Sequence, residues 1–537
     1  MKPDRRQFLG AAGSLLGPAW TGRSADEAKG LVVGQPEGAT AGNAVLAAGG
    51  NAVDAVVAAA LVAGVVALSS TGLGGYGGHL VLARPDGTAA AIDFNGPAPA
   101  AARADLFAAD EAGAVKGRAN VYGWLAAGVP GVLGGLQLVL DRFGTKKFDA
   151  VVSPAIRLAR DGFPLTKGLA AAIAGAKERL AKDPGSAALY FANGVPLAEG
   201  ATFRNPDLAS MLQKLAAKGR VDDFYTGDIA AAIASAFEKN GGRLTAADLA
   251  AYEPNAVKPL ALAWQGHTVH TPPPTAGGLS VLQALATLKA LGWEEWDAAK
   301  PTTVRARVEA LRIAWHDRLT LLGDPKHADV PVEKLLSENY ARQSAERVRA
   351  ALEAGKPVEG RSDGRPAGGT IHLNAIDRSG LTVALTFTHG EAFGAQVTVP
   401  GLGLTLGHGL SRFDPRPGRA NSVGSGKRPL HNMCPTVVTR NAKPVLSLGA
   451  TGGRRIPNTV FDVLAYRLGE GRSLTDSVKA PRAHTEGDLA LALEAGWPAA
   501  VREHFKTVGY APTAGPGASL SAIERDPGTG ATRAASR

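Results

Sequence analysis

The stretch that most constrains the fold is Gly368-Gly369-Thr370-Ile371-His372-Leu373-Asn374-Ala375-Ile376-Asp377, continuing through Arg378-Ser379-Gly380 and Leu381 to Thr388. Ile371, Leu373 and Ala375 alternate with polar neighbours. Leu381, Val383, Leu385 and Phe387 do the same with Thr382, Thr386 and Thr388. This period of two predicts a pair of strands. A three-residue loop ending in glycine suits a hairpin with a bulge. With Arg378-Ser379-Gly380 as that loop, Asp377 stands opposite Leu381 and Thr370 opposite Thr388; a two-residue loop slips the register by one. From the pattern alone, an ordinary hairpin rich in β-favouring threonines is the leading reading.

At 537 residues the chain can bury a large core, and its length suggests two or three domains. One cysteine, Cys434, excludes an intrachain disulfide framework and a cysteine metal cluster. Its apolar setting, Leu-His-Asn-Met-Cys-Pro-Thr, marks a small core residue. The net charge of +10 invites a nucleic-acid partner, but the basic residues are scattered and only 6% of residues are aromatic, which argues against one. Gly424-Ser425-Gly426-Lys427-Arg428 imitates a phosphate loop, yet position 421 is Asn and no Ser or Thr follows the lysine. No metal-ligand spacing is present, and no cofactor is implied.

Residues 1–25 read as an export signal of the twin-arginine kind. Arg5-Arg6 precede Phe8-Leu9 and a short, weakly apolar stretch to Trp20. A disordered basic tail is the alternative. No later segment offers the ~20 apolar residues a membrane span needs without many glycines.

The folded part begins near Gly30-Leu31-Val32-Val33. A helix is predicted from Thr40 to Ala48, stopped by Gly49-Gly50. Asn51 caps a second, with Asp54 in its first turn, running to about Ala67. Small residues on all its sides imply close packing between layers. The glycine run Ser69 to Gly78 is a flexible or tightly turned backbone, with a phosphate loop as the alternative, leading into a strand at His79–Ala83. Thr271-Pro272-Pro273-Pro274-Thr275-Ala276-Gly277-Gly278 marks a loop between a strand at 267–270 and a helix from Leu279. Residues 340–369, charged and then rich in Gly, Pro, Ser and Asp, read as an exposed linker that can accommodate a cut. No internal repeats are evident.

Gly-Thr-Ile-His-Leu-Asn-Ala-Ile-Asp at 369–377 resembles the start of the small subunit in the γ-glutamyltranspeptidase family of N-terminal-nucleophile hydrolases. Gly-Gly-Asn-Ala-Val-Asp-Ala at 49–55 and Ser-Ser-Thr-Gly-Leu-Gly-Gly-Tyr-Gly at 69–77 resemble the opening of that family's large subunit. Similar blocks follow in order: Gly128 to Gly131, Leu158 to Phe163, Phe224 to Gly227, and Thr271 to Gly278. The resemblance covers about residues 30–530. It implies an α/β (α+β) four-layer αββα sandwich, built from a large subunit (30–369) and a small catalytic subunit (370–537) cut from one precursor between Gly369 and Thr370.

In that family the new N-terminal threonine is the nucleophile. A threonine hydroxyl is weak near neutral pH, and an N-terminal threonine uses its own α-amino group as base. The resemblance therefore casts Thr370 as nucleophile and Thr388 as its hydrogen-bond partner. Leu446 to Ile456 reads as strand, glycine turn and helix, and the resemblance makes Gly452 and Gly453 the oxyanion donors. Such donors are worth ~3–4 kcal/mol of transition-state stabilisation.

The donor pocket departs from the family. Where the family has arginine after Asp-Phe, this chain has Asn95 after Asp93-Phe94, without the bidentate cationic fork. Arg412, in Gly407 to Phe413, falls where the family has the acid that holds the donor's ammonium. His431-Asn432 replace a Ser-Ser pair, and Gly390 replaces an asparagine. A like-charge juxtaposition costs several kcal/mol. The expectation is an autoprocessed amide hydrolase or acyltransferase whose small-molecule donor carries a carboxylate or polar end, and not a standard glutathione enzyme. The alternatives are a true γ-glutamyl hydrolase or transpeptidase, and an uncut, non-catalytic binding protein on the same fold. The export signal implies a periplasmic location.

Overall fold

A computed structural model describes residues 30–111, 113–363 and 368–537. The export segment at 1–25 lies outside these residues. Two six-stranded sheets form the centre. The first runs, edge to edge, Gly30–Gly34, Gly369–Asp377, Thr382–Gly390, Gly77–Ala83, Ala89–Asp93 and Asn255–Val257. The second runs Thr532–Ser536, Ser519–Arg525, Lys443–Thr451, Thr436–Arg440, His267–Thr271 and Leu260–Trp264. All neighbouring strands in both sheets are antiparallel.

Each sheet buries its outer face under helices. Against the first lie Pro36–Ala47, Ala52–Val66 and Val132–Phe143, whose side chains share one apolar core with Ile371, Leu373, Leu385 and Phe387. Against the second lie Gly278–Leu291, Pro301–Leu321 and Arg455–Leu464, around Val438, Leu446 and Leu448. The result is the four-layer αββα sandwich that the family resemblance implies. Asn51 makes a full capping box with Asp54, and every residue of the following helix, Ala52–Val66, is buried. An alanine- and valine-rich sequence suits that position because small side chains let the layers approach closely.

The hairpin keeps the predicted register from Ile376 facing Thr382 to Ile371 facing Phe387, but the predicted Thr370–Thr388 pair does not form. A bulge then intervenes, and Gly369 pairs with Gly390. The polar half of the alternation does not face water. His372 and Asn374 point between the sheets, where His372 bonds Thr386 (2.7 Å) and Asn374 (2.9 Å), and Ser447 donates to Asn374 at 2.6 Å. Buried polar groups of this kind must be paired to be tolerated, and these join the two sheets.

Residues 340–369 are not one exposed linker. Glu338–Ala354 is a helix whose Ala341, Ala345, Val348 and Ala351 are buried. Its charges hid an apolar stripe at i, i+4, i+7 spacing, which packs on the helix Gly278–Leu291. Cys434 is free and buried, and burial pushes its thiol up to about 12. The Gly424–Arg428 loop is structural: Lys427 Nζ donates to the Ala420 carbonyl (2.6 Å), and Arg428 pairs with Asp93 (3.2 Å). Among the described residues no helix is long and apolar enough to cross a membrane, and no group of three or more His, Cys, Asp or Glu is placed to hold a metal ion.

Candidate active site

Two hydroxyls converge on the carbonyl between Gly369 and Thr370. Thr370 Oγ1 donates to Gly369 O at 2.5 Å, and Thr388 Oγ1 donates to the same oxygen at 2.6 Å. The Gly390 N–H donates to Thr388 Oγ1 (2.8 Å), which fixes that hydroxyl's orientation. Thr388 is predicted to bond the Thr370 oxygen; instead it bonds the carbonyl of the residue before, because the bulge carries Gly369 into its reach. Thr370 and Thr388 are both buried, at 7% and 2% exposure, so water does not replace either contact. Two donors on one carbonyl oxygen polarise its carbon toward attack.

The same cavity is lined by Tyr76, Gly368, Gly369, Thr370, Thr388, Arg412, His431, Asn432, Met433, Gly453 and Ile456. Of the residues predicted for the site, Thr370, Thr388, Arg412, His431, Asn432 and Gly453 therefore meet in one place. Gly452 and Asn95 do not line it. Gly452 sits one residue back in the turn between the strand Lys443–Thr451 and the helix Arg455–Leu464. Its φ of +134° is open only to glycine at low cost. Neither Gly452 nor Gly453 spends its N–H on an acceptor among the described residues. The turn also carries Arg454, which bonds Asp363 (2.8 Å) and Glu486 and so ties the chain at Asp363 to this turn.

Asn95 is wholly buried behind the cavity wall. Its Nδ2 donates to Pro429 O (2.8 Å) and its N–H to Asp93 (2.9 Å), so it braces the loop that bears His431. Arg318 completes that brace with bonds to the carbonyls of Ala276 (2.8 Å) and His431 (2.5 Å).

Arg412 closes the cavity on the opposite side. Its guanidinium lies beside the buried Tyr76 hydroxyl, and a Cβ on Gly368 would lie 2.6 Å from it. Gly390 is glycine for a steric reason. A Cβ there would lie 2.1 Å from the His408 ring, whose Nε2 accepts from the Glu391 N–H and whose Nδ1 bonds Ser411. Burial, and then the charge of Arg412, hold His408 well below the ordinary histidine pKa.

Two residues at the site, His79 and Tyr76, are not singled out by the sequence. His79, 352 residues from His431, places its Nε2 2.7 Å from the His431 Nε2. Both rings are buried; burial lowers His79 to about 4 and puts His431 well below its usual range. Tyr76 was passed over as one member of a glycine run.

Two stacked antiparallel sheets between helices, with a threonine at the start of a central strand, define the N-terminal-nucleophile hydrolase class. Residues 38–537 match the family model described as Gamma-glutamyltranspeptidase. The chain is 34% identical over 447 residues to a glutathione hydrolase proenzyme of Escherichia coli, covering 80% of this chain and 76% of that protein. It is 34% identical over 501 residues to an acylase ACY 1 proenzyme of a Pseudomonas species, covering 91% and 88%. The crystal structure of a cephalosporin acylase from Bacillus halodurans superposes with a TM-score of 0.86 at 27% identity, over 98% of this chain and 97% of that one. The chain belongs to the γ-glutamyltranspeptidase family.

Proposed function

We propose that this chain is the precursor of a self-processing amide hydrolase or acyltransferase whose nucleophile is Thr370. The observation that carries the reading is the pair of hydroxyl donors on the Gly369 carbonyl, inside a cavity that also holds Gly453 and Arg412.

In processing, Thr370 Oγ attacks the Gly369 carbonyl carbon while Thr388 supports the developing oxyanion. The C–N bond breaks as the acyl group passes from nitrogen to oxygen, the hydroxyl proton passes to the freed nitrogen, and water hydrolyses the ester. The products are a large subunit ending at Gly369 and a small subunit, 370–537, with a free α-amine at Thr370. That amine then serves as base. It takes the Thr370 hydroxyl proton as the oxygen attacks a donor amide, and the proton passes to the leaving amine. The N–H groups of Gly452 and Gly453, at a helix start, support the tetrahedral oxyanion. Water, or an acceptor amine, then releases the acyl group.

The donor's acyl end meets Arg412, where the family carries an acid. A carboxylate is the matching charge, and an ammonium there is repelled, so standard glutathione turnover is disfavoured. The twin arginines at 5–6 support export of the folded precursor to the periplasm.

A denaturing gel with N-terminal sequencing tests the reading. Wild-type protein is expected to yield a fragment beginning Thr-Ile-His-Leu, and Thr370→Ala none. An intact wild-type chain lacks the α-amine base, which overturns the mechanism.

A further inference from the structure

His431 forms part of the cavity wall beside Thr370 and Arg412, yet no step above uses it. Its Nε2 lies 2.7 Å from the His79 Nε2, the ring centroids 4.5 Å apart. Two ring nitrogens at that distance share one proton, so one ring donates and the other accepts. The second nitrogen of His79, Nδ1, faces the Asp93 carboxylate at 3.7 Å. Asp93 is itself held by Arg428 (3.2 Å) and by the Asn95 N–H (2.9 Å). A lone pair on His79 Nδ1 would confront an anion, whereas a proton there faces it favourably. His79 is therefore the Nδ1–H tautomer, its Nε2 accepts, and His431 Nε2 donates. That leaves His431 Nδ1 unprotonated, buried and without a hydrogen-bond partner among the described residues.

Building on the reading of a carboxylate-ended donor, we propose that the buried relay Asp93–His79–His431 makes donor binding take up one proton, with His79 the positioning residue and His431 the contact. A carboxylate entering beside Arg412 meets His431 after its Nδ1 has gained a proton from solvent, and an N–H···O bond forms. No other bond is made or broken.

The surrounding charges give the sign. Burial keeps His431 neutral, and the His79 ring and two cations, Arg318 and Arg412, add to it. His79 faces Asp93, which favours its charge, and Arg428, which opposes it. A bound carboxylate offsets the arginines, so the complex holds a proton that the free protein lacks. Affinity then rises as pH falls, by up to about tenfold per pH unit.

The test uses processed wild-type protein and pentanoate, an inert monocarboxylate whose own titration lies in the ordinary carboxylate range. Calorimetry is run in two buffers of different ionisation enthalpy, with Kd followed from about pH 6 to about pH 8. The expected result is a binding enthalpy that differs between buffers, a Kd that tightens toward acid pH, and loss of both effects in His79→Gln. Pentanoate binding with buffer-independent enthalpy and a flat Kd overturns the relay and leaves the carboxylate reading standing. No pentanoate binding overturns both. If His79→Gln does not fold, His431→Gln replaces it, and the wild-type buffer comparison decides by itself.

Discussion

Removing the Thr388 hydroxyl should slow self-cleavage without unfolding the chain. Thr388→Val keeps the branched shape and deletes the donor that reaches Gly369 O at 2.6 Å, at the short end for such bonds. The site is 2% exposed, so solvent does not supply a substitute. Loss of one preorganised oxyanion donor costs ~3–4 kcal/mol, or roughly 10²- to 10³-fold in rate. The same change strands the Gly390 N–H that now donates to Thr388, a separate stability cost of about 1–3 kcal/mol. The two effects are measured apart, by a timed denaturing gel of freshly folded precursor and by thermal melting. Thr388→Ser, which restores the hydroxyl, should cleave at close to the wild-type rate. A folded valine variant that matures as fast as wild type would refute the reasoning, because Thr388 would then stabilise only the fold.

Three further outcomes are expected. Arg412→Gln should raise KM for carboxylate-ended donors by roughly ten- to a hundredfold, the worth of one charge-assisted hydrogen bond, and leave neutral amides little changed. Gly452→Ala forces a side chain onto φ +134°, with its Cβ 3.0 Å from Ala518, and should destabilise by about 1–3 kcal/mol on a urea curve. Burial lowers His372 and His389 to about 4. Neutral in the fold and basic in the unfolded chain, they should make stability fall as pH drops from about 6.5 to about 4, by on the order of 3 kcal/mol each. Urea midpoints at successive pH values check the sign; a flat profile would contradict it.

What the sequence made legible were features whose partners lie close along the chain. The Asn51–Asp54 capping box spans three residues, the 369–390 hairpin is fixed by its own loop, and the 446–456 strand, turn and helix are continuous. The helix Glu338–Ala354 was obscured because its surface charges outnumber the alanines and valine that anchor it. Long-range pairs left no local trace. His79 and His431 are 352 residues apart, and nothing near either announces the other. Asn95 occupies a family binding position, but only the packed loop shows that it braces Pro429 and does not face the cavity.

The strand order has a consequence for the life of the mature enzyme. The hairpin Gly369–Asp377 and Thr382–Gly390 lies between Gly30–Gly34 and Gly77–Ala83, and the second sheet joins Thr436–Arg440 to His267–Thr271. A break after Gly369 thus leaves two polypeptides woven through both sheets, separable only by dismantling each. What folds as one chain would, once denatured, have to reassemble as two. Recovery becomes concentration-dependent, and the peptide bond that joined the two halves during the first folding no longer exists. Maturation would be a ratchet: the working enzyme owes its shape to a covalent connection it has lost, and persists through the slowness of its undoing.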